Sequence, residues 1–122
     1  MAMTLQEAFN ASYIGVIKQG KKSVDTAGES LYNDGQGCRC GIGQTMPKDT
    51  NLMDRNGDSI NILVRDHHPA IAHLTHIDRD ILIEFQHCHD GAEIGKTFIS
   101  EFKQNMNLFA QKYHLTIPTI QG

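Results

Sequence analysis

The chain has no tryptophan, and aromatic residues make up 7% of its 122 positions, so a core has to be built mainly from Ile, Leu, Met and Phe. It has no excess of basic charge. Lys+Arg 11 against Asp+Glu 14, with histidine neutral, gives a net charge of -3, which offers no general attraction for a polyanion and argues against nucleic acid as a partner. No stretch approaches the ~20 apolar residues of a membrane helix, and no basic n-region with an apolar run behind it stands at the start. These absences predict a cytoplasmic protein with no membrane partner. Three cysteines cannot all pair within one chain, and a domain of this length with amphipathic helices does not depend on disulfides, so reduced thiols are expected. With no internal repeat, low-complexity tract or linker, residues 1–122 read as a single globular domain whose last residues, 119–122, fray.

What is present begins with helical periodicity. In 4–18, Leu5, Ala8, Phe9, Ser12, Tyr13, Val16 and Ile17 recur at steps of three and four, the spacing of one helix face. Thr4 suits the N-cap with Glu7 completing a capping box, and Gly20 suits a left-handed C-terminal position. Gly15, inside this helix, predicts a close neighbour. A second helix carries Ile77, Ile81, Leu82, Phe85 and Cys88 and ends at Gly91, with Thr75 as its cap and Asp78 in its first turn. A third runs over 94–113 on Phe98, Ile99, Phe102, Met106, Phe109, Ala110 and Tyr113. Shorter helical readings fall at 60–64 and at 69–74, where Pro69 suits a first turn.

The least helix-like stretch is 31–47, LYNDGQGCRCGIGQTMP, with two cysteines, four glycines and a closing proline. It reads as a hairpin: Leu31 and Tyr32 on one arm, 33–37 as the turn, and 38–40 on the other. Residues 41–46 begin a helical turn that ends before Pro47. The predicted architecture is therefore α+β, a mostly helical single domain of three principal helices with a small β-hairpin.

Several constellations could carry chemistry. Cys38, Cys40, His87, Cys88 and His89 are all metal-ligand types, and zinc would be the cofactor if the hairpin packed on the end of the second helix. The Cys38-x-Cys40 spacing sends successive thiols of an extended arm to opposite faces, so structural thiols are the competing reading. His73, His76, Asp80, Glu84 and His87 form a polar stripe if the two neighbouring helices are continuous, and Glu84-x-x-His87 has the i, i+3 spacing of bundle metal sites; no second such pair accompanies it. Cys40 with a nearby histidine and Asp90 could make a thiol triad, with Gly41 and Gly43 exposing amides to an oxyanion. A calcium loop at 54–58 is excluded because its glycine falls at loop position four. Gly41-x-Gly43 lacks the remaining residues of a phosphate loop. A basic cluster at Lys18, Lys21, Lys22 and Arg39 is the one local feature that suits nucleic acid.

The order Lys22-Ser23-Val24-Asp25, Gly28, Tyr32, Gly37, Cys40-Gly41-Ile42-Gly43 and Met46-Pro47, followed by Leu82, Phe85-Gln86, His89-Asp90 and a late Phe102, Leu108, Ala110 and Lys112-Tyr113, resembles a family of small bacteriophage and prophage proteins with a Gly-rich hairpin and a Cys-x-x-Gly segment. The likeness spans about residues 20–115. Ser30 stands where the family pattern has its first cysteine, and Arg39 where lysine is usual. The resemblance implies a phage-encoded accessory protein and supplies no reaction or catalytic residue. The resulting expectation is a non-enzymatic protein that binds and modulates a host protein, with Tyr32, Arg39, Cys40, His89 and Asp90 lining a shared surface notch. The alternatives are a metal- or thiol-dependent enzyme built on the Cys/His cluster and a nucleic-acid-binding protein.

Overall fold

A computed structural model describes residues 2–24, 31–32, 38–46 and 59–120. Among these, helix α1, Leu5–Gln19, is followed by a 3-10 turn at Gly43–Thr45, α2 at Ile60–Arg65, a 3-10 segment at Pro69–Leu74, α3 at Arg79–Asp90 and α4 at Phe98–Tyr113. The three long helices are those that the periodicity predicts. None is long and apolar enough to cross a membrane among the described residues.

Local chemistry accounts for the ends of α1. Thr4 Oγ1 accepts from the Glu7 amide while the Glu7 carboxylate accepts from the Thr4 amide, closing a capping box that satisfies two otherwise orphaned donors. At the other end Gly20 adopts φ 79°, and its amide donates to Val16 O. That left-handed conformation is open to glycine without a Cβ penalty.

α3 begins three residues later than its sequence suggests. Asp78 is itself the N-cap, its side chain accepting from the Asp80 amide, whereas Thr75 turns back and donates to Ala72 O. α4 begins at Phe98 rather than Ile94, because Gly95 at φ 118° interrupts the helical path and leaves Ile94 exposed.

The core lies where α1, α3 and α4 meet. Phe9 stacks on Phe109 with centroids 6.3 Å apart, Phe109 packs against Phe85 at 5.4 Å, and Tyr13 reaches Phe102 at 6.5 Å. Phe9, Phe85, Phe98 and Phe102 are essentially sealed from solvent, and full burial of such side chains stabilises by about 1.5–3 kcal/mol each. All five phenylalanines of the chain are buried in this core, which has no tryptophan. α3 and α4 run antiparallel, since Lys112 Nζ bonds Glu84 Oε1 at one end and Asn105 Nδ2 donates to Cys88 O at the other.

The predicted β-hairpin is overturned. No strand occurs among the described residues, and the α+β class gives way to a helical one. The arms do approach, with the Cys40 amide donating to Tyr32 O at 3.4 Å. The reason for the missing ladder is that side chains take the backbone groups a partner strand would have used. The Arg39 amide donates to Gln19 Oε1, Arg39 O accepts from Gln19 Nε2 and Gln44 Nε2, and Cys38 O accepts from Ser23 Oγ. The predicted turn at 33–37, the excluded calcium loop at 54–58, Ser30 and Pro47 lie outside the described residues.

Candidate functional site

The chain from 38 to 46 lies against α1 and α3. Ser12 Oγ of α1 donates to Gly41 O, and the Gln44 side chain crosses Gly15, where an added Cβ would meet the Gln44 amide. That crossing is the close neighbour that a glycine inside α1 predicts. On the α3 side, Gln86 Oε1 accepts from the Ile42 amide at 2.9 Å, while Gln86 Nε2 donates to both oxygens of Asp90 at 3.1 and 3.2 Å.

His89 continues this network. Its Nε2 accepts from the Ser23 amide at 3.1 Å, so the ring proton belongs on Nδ1, which lies 2.8 Å from Asp90 Oδ1 and donates to it. That tautomer follows from the hydrogen-bond pattern. The ring is fully buried and stands edge-on to Phe98, 5.5 Å between centroids. Every polar atom of the imidazole is matched, as a buried polar group requires.

Cys40 is the innermost member. Its Sγ accepts from the Gly43 amide at 3.3 Å. Burial, and after it the nearby Asp90 carboxylate, push the Cys40 thiol from an ordinary 9.0 up to about 12 against the opposing hydrogen bonds. A nucleophilic or metal-binding cysteine needs the thiolate and access to it. Cys40 has neither at neutral pH. The Gly43 amide, read in sequence as an oxyanion donor, is spent on this sulfur.

Of the five residues expected to form a notch, Tyr32, Cys40 and His89 are buried, Arg39 is half-buried, and Asp90 keeps 34% of its side chain exposed. Cys40, His89 and Asp90 do come together, through Gln86, as interior packing instead of an open notch. Arg39 points elsewhere, donating from Nη1 to Gly43 O and Met46 O.

The candidate metal residues are dispersed. Residues two apart on a helix diverge by about 200°, so His87 faces solvent while His89 faces the core. Cys88 donates from Sγ to Glu84 O at 3.7 Å, and burial pushes its thiol up to about 12 as well. Cys38, Cys40 and Cys88 are all buried. No group of three or more His, Cys, Asp or Glu side chains gathers in a metal-binding arrangement among the described residues. The polar stripe is broken as well: the segment from Pro69 to Leu74 is a separate 3-10 helix, and His73 Nε2 turns inward to Thr45 Oγ1 at 2.9 Å.

Sequence reasoning missed Gln86, Ser23 and Lys22. Gln86 had a signal: Leu82, Phe85, Gln86 and His89 recur at helix spacing, so a glutamine and a histidine sit on the inward face. Lys22, read as part of a basic cluster, instead donates to Asp90 O and Ala92 O at 2.9 Å each, closing the C-terminal end of α3.

A shallow groove opens between α3 and α4. It has a volume of about 300 Å³, Cys88 and Phe109 contribute to its lining, and Glu84, Lys112 and His87 stand at its edge. Leu108 beside it is 59% exposed.

No family model, curated protein or solved structure matches the chain.

Proposed function

We propose that the chain is a non-enzymatic accessory protein of the phage type that binds and modulates a host protein. The observation that supports this reading is the fate of the chemically capable side chains. Cys40 is sealed and its thiol held protonated, His89 has both ring nitrogens committed, and Gln86 spends its amide on Ile42 and Asp90. Residues consumed in this way hold a loop on a helix and have no capacity left for a substrate. Large apolar side chains remain at the surface instead, Ile94 and Ile117 among them, and these are the side chains left for a partner protein to cover. The nucleic-acid alternative loses Lys22, which is bound to the α3 terminus.

Affinity capture from bacterial lysate tests the reading. The wild-type chain should retain one protein in near-stoichiometric yield, Cys40→Ala should retain it equally, and Ile94→Glu or Ile117→Glu should release it. Capture of nothing, together with a turnover activity that disappears in Cys40→Ser while the fold persists, would overturn the proposal.

A further inference from the structure

His89 is sealed from solvent, and one of its ring nitrogens holds a different part of the chain. The Ser23 amide donates to Nε2 at 3.1 Å, while Nδ1 lies 2.8 Å from Asp90 Oδ1 on the same helix. The two bonds respond oppositely to a second ring proton. A proton added at Nε2 turns that acceptor into a donor, so the Ser23 bond is lost, whereas the Nδ1 bond to Asp90 survives and gains the strength of a charged pair. The ring also stands in the last turn of α3, where the helix dipole favours a positive charge. Acid therefore keeps the ring on α3 and displaces Ser23.

The elements packed around the ring reinforce this asymmetry. On α3 the neighbouring charge is Asp90, whose two carboxylate oxygens also accept from Gln86 Nε2; His87 turns to solvent, and the Cys88 thiol bonds Glu84 O. The 20–24 segment brings the Lys22 ammonium, fixed on Asp90 O and Ala92 O at 2.9 Å each, so an imidazolium puts a second positive charge in that corner. From the 38–46 segment Gly41 lies against the His89 Cβ, and the Cys40 thiol beside Asp90 is held protonated by burial. α4 contributes the uncharged Phe98 ring. Ser23 in turn binds the Leu31 amide through its carbonyl and Cys38 O through its hydroxyl, and its release carries both. The turn beyond is tied separately, by Gln86 to the Ile42 amide and by Ser12 to Gly41 O. We infer that His89 is an acid-opened latch: protonation of its Nε2 frees Ser23 and the chain attached to it from the end of α3, while the 41–46 turn stays docked. The latch does not depend on the host partner proposed above.

Nuclear magnetic resonance of the isotope-labelled chain between about pH 8 and 5, the window in which histidine changes its charge, tests it. At the upper end the His89 ring should show one protonated and one bare nitrogen. On acidification the bare one should take a proton, and with the same midpoint the hydrogen-exchange protection of the Ser23 amide should fall at least about tenfold, the scale of one lost buried hydrogen bond. The Ile42 amide and those of α1 and α4 should keep their protection. His89→Gln should abolish the acid response, and His73→Gln should leave it in place. Should His89→Gln fail to fold, the agreement of ring and amide midpoints in the wild type decides. A ring that keeps a bare Nε2 at the acid end in the folded chain, a ring that gains the proton with Ser23 still protected, or a loosening of Ile42 together with Ser23 each overturns the inference. So does an acid response that is retained in His89→Gln or lost in His73→Gln.

Discussion

Gln86 is the residue on which most of the buried polar network converges. It is the sole link between the Ile42 amide and the Asp90 carboxylate in the contacts described, and Asp90 in turn fixes the His89 tautomer. Replacing it by leucine keeps the volume and strands both neighbours. A buried group left without its partner costs about 1–3 kcal/mol, so Gln86→Leu should lower unfolding stability by about 2–3 kcal/mol in urea titration, and a change below about 0.5 kcal/mol would show that water replaces the amide without loss. The thiols at either side of the network give a second expectation. With both Cys40 and Cys88 pushed up to about 12, the thiolate fraction at pH 8 is on the order of 10⁻⁴. Iodoacetamide at pH 8 should therefore modify these two cysteines in the folded chain at least about a hundredfold more slowly than in urea. Equal rates, followed by mass spectrometry of the digested protein, would mean that they are accessible as thiolates.

At the scale of elements, the joint between α1 and the 38–46 segment rests on Gly15 and Gln44. Alanine at 15 gains about 0.5–1 kcal/mol of helix stability over glycine, but its Cβ displaces the Gln44 amide from Gln19 Oε1 and Arg39 O. Gly15→Ala should thus be neutral or destabilising by about 1 kcal/mol in the wild type and stabilising by about 0.5–1 kcal/mol once Gln44→Ala is present. A thermal-melt cycle in which Gly15→Ala acts identically in both backgrounds would remove Gln44 as the neighbour that matters. The difference between what could and could not be read in the sequence is visible at this joint. Thr4, Glu7 and Gly20 act within four residues of one another, so the caps of α1 follow from local pattern alone, and Gly15 announced a close approach. The identity of that neighbour lies 29 residues further on, beyond any local rule. The hairpin failed for the same reason: alternation and glycine turns suggest a ladder, but Gln19, Ser23 and Gln44, none of them in either predicted arm, took its backbone groups. The site was legible as a set of residues, since Cys40, His89 and Asp90 do meet. It was misread as open because the burial of α3's Leu82–Gln86–His89 row depends on where α1 and α4 pack.

For the whole molecule, stability responds to pH from both ends, and the signs follow from which state holds more protons. Burial lowers His73 from an ordinary 6.5, so as pH falls through 6.5 the unfolded chain takes up a proton that the folded chain refuses, and stability declines until the folded ring titrates. Glu7 is lowered from 4.5 by its bonds to the Thr4 backbone and side chain, which adds a further acid loss below that pH. His73→Gln should flatten the limb between about pH 7 and 5 and leave the lower one. The alkaline side belongs to the cysteines. A thiol raised in the folded state keeps its stabilising contribution below its unfolded value of 9.0 and loses it as pH rises toward about 12. By pH 11 the unfolded chain has released protons that the folded chain still holds, and at about 1.4 kcal/mol per unit the two thiols together withdraw on the order of 5 kcal/mol. That is comparable with the whole stability of a domain this size, roughly 5–15 kcal/mol. Urea midpoints measured at pH 8, 10 and 11 should fall steeply for the wild type and markedly less for Cys40→Ala/Cys88→Ala, whatever the stability of that variant at pH 8. Parallel slopes for the two proteins would mean that neither thiol is sealed when the chain folds, and the interior placement of Cys40 would fall with them.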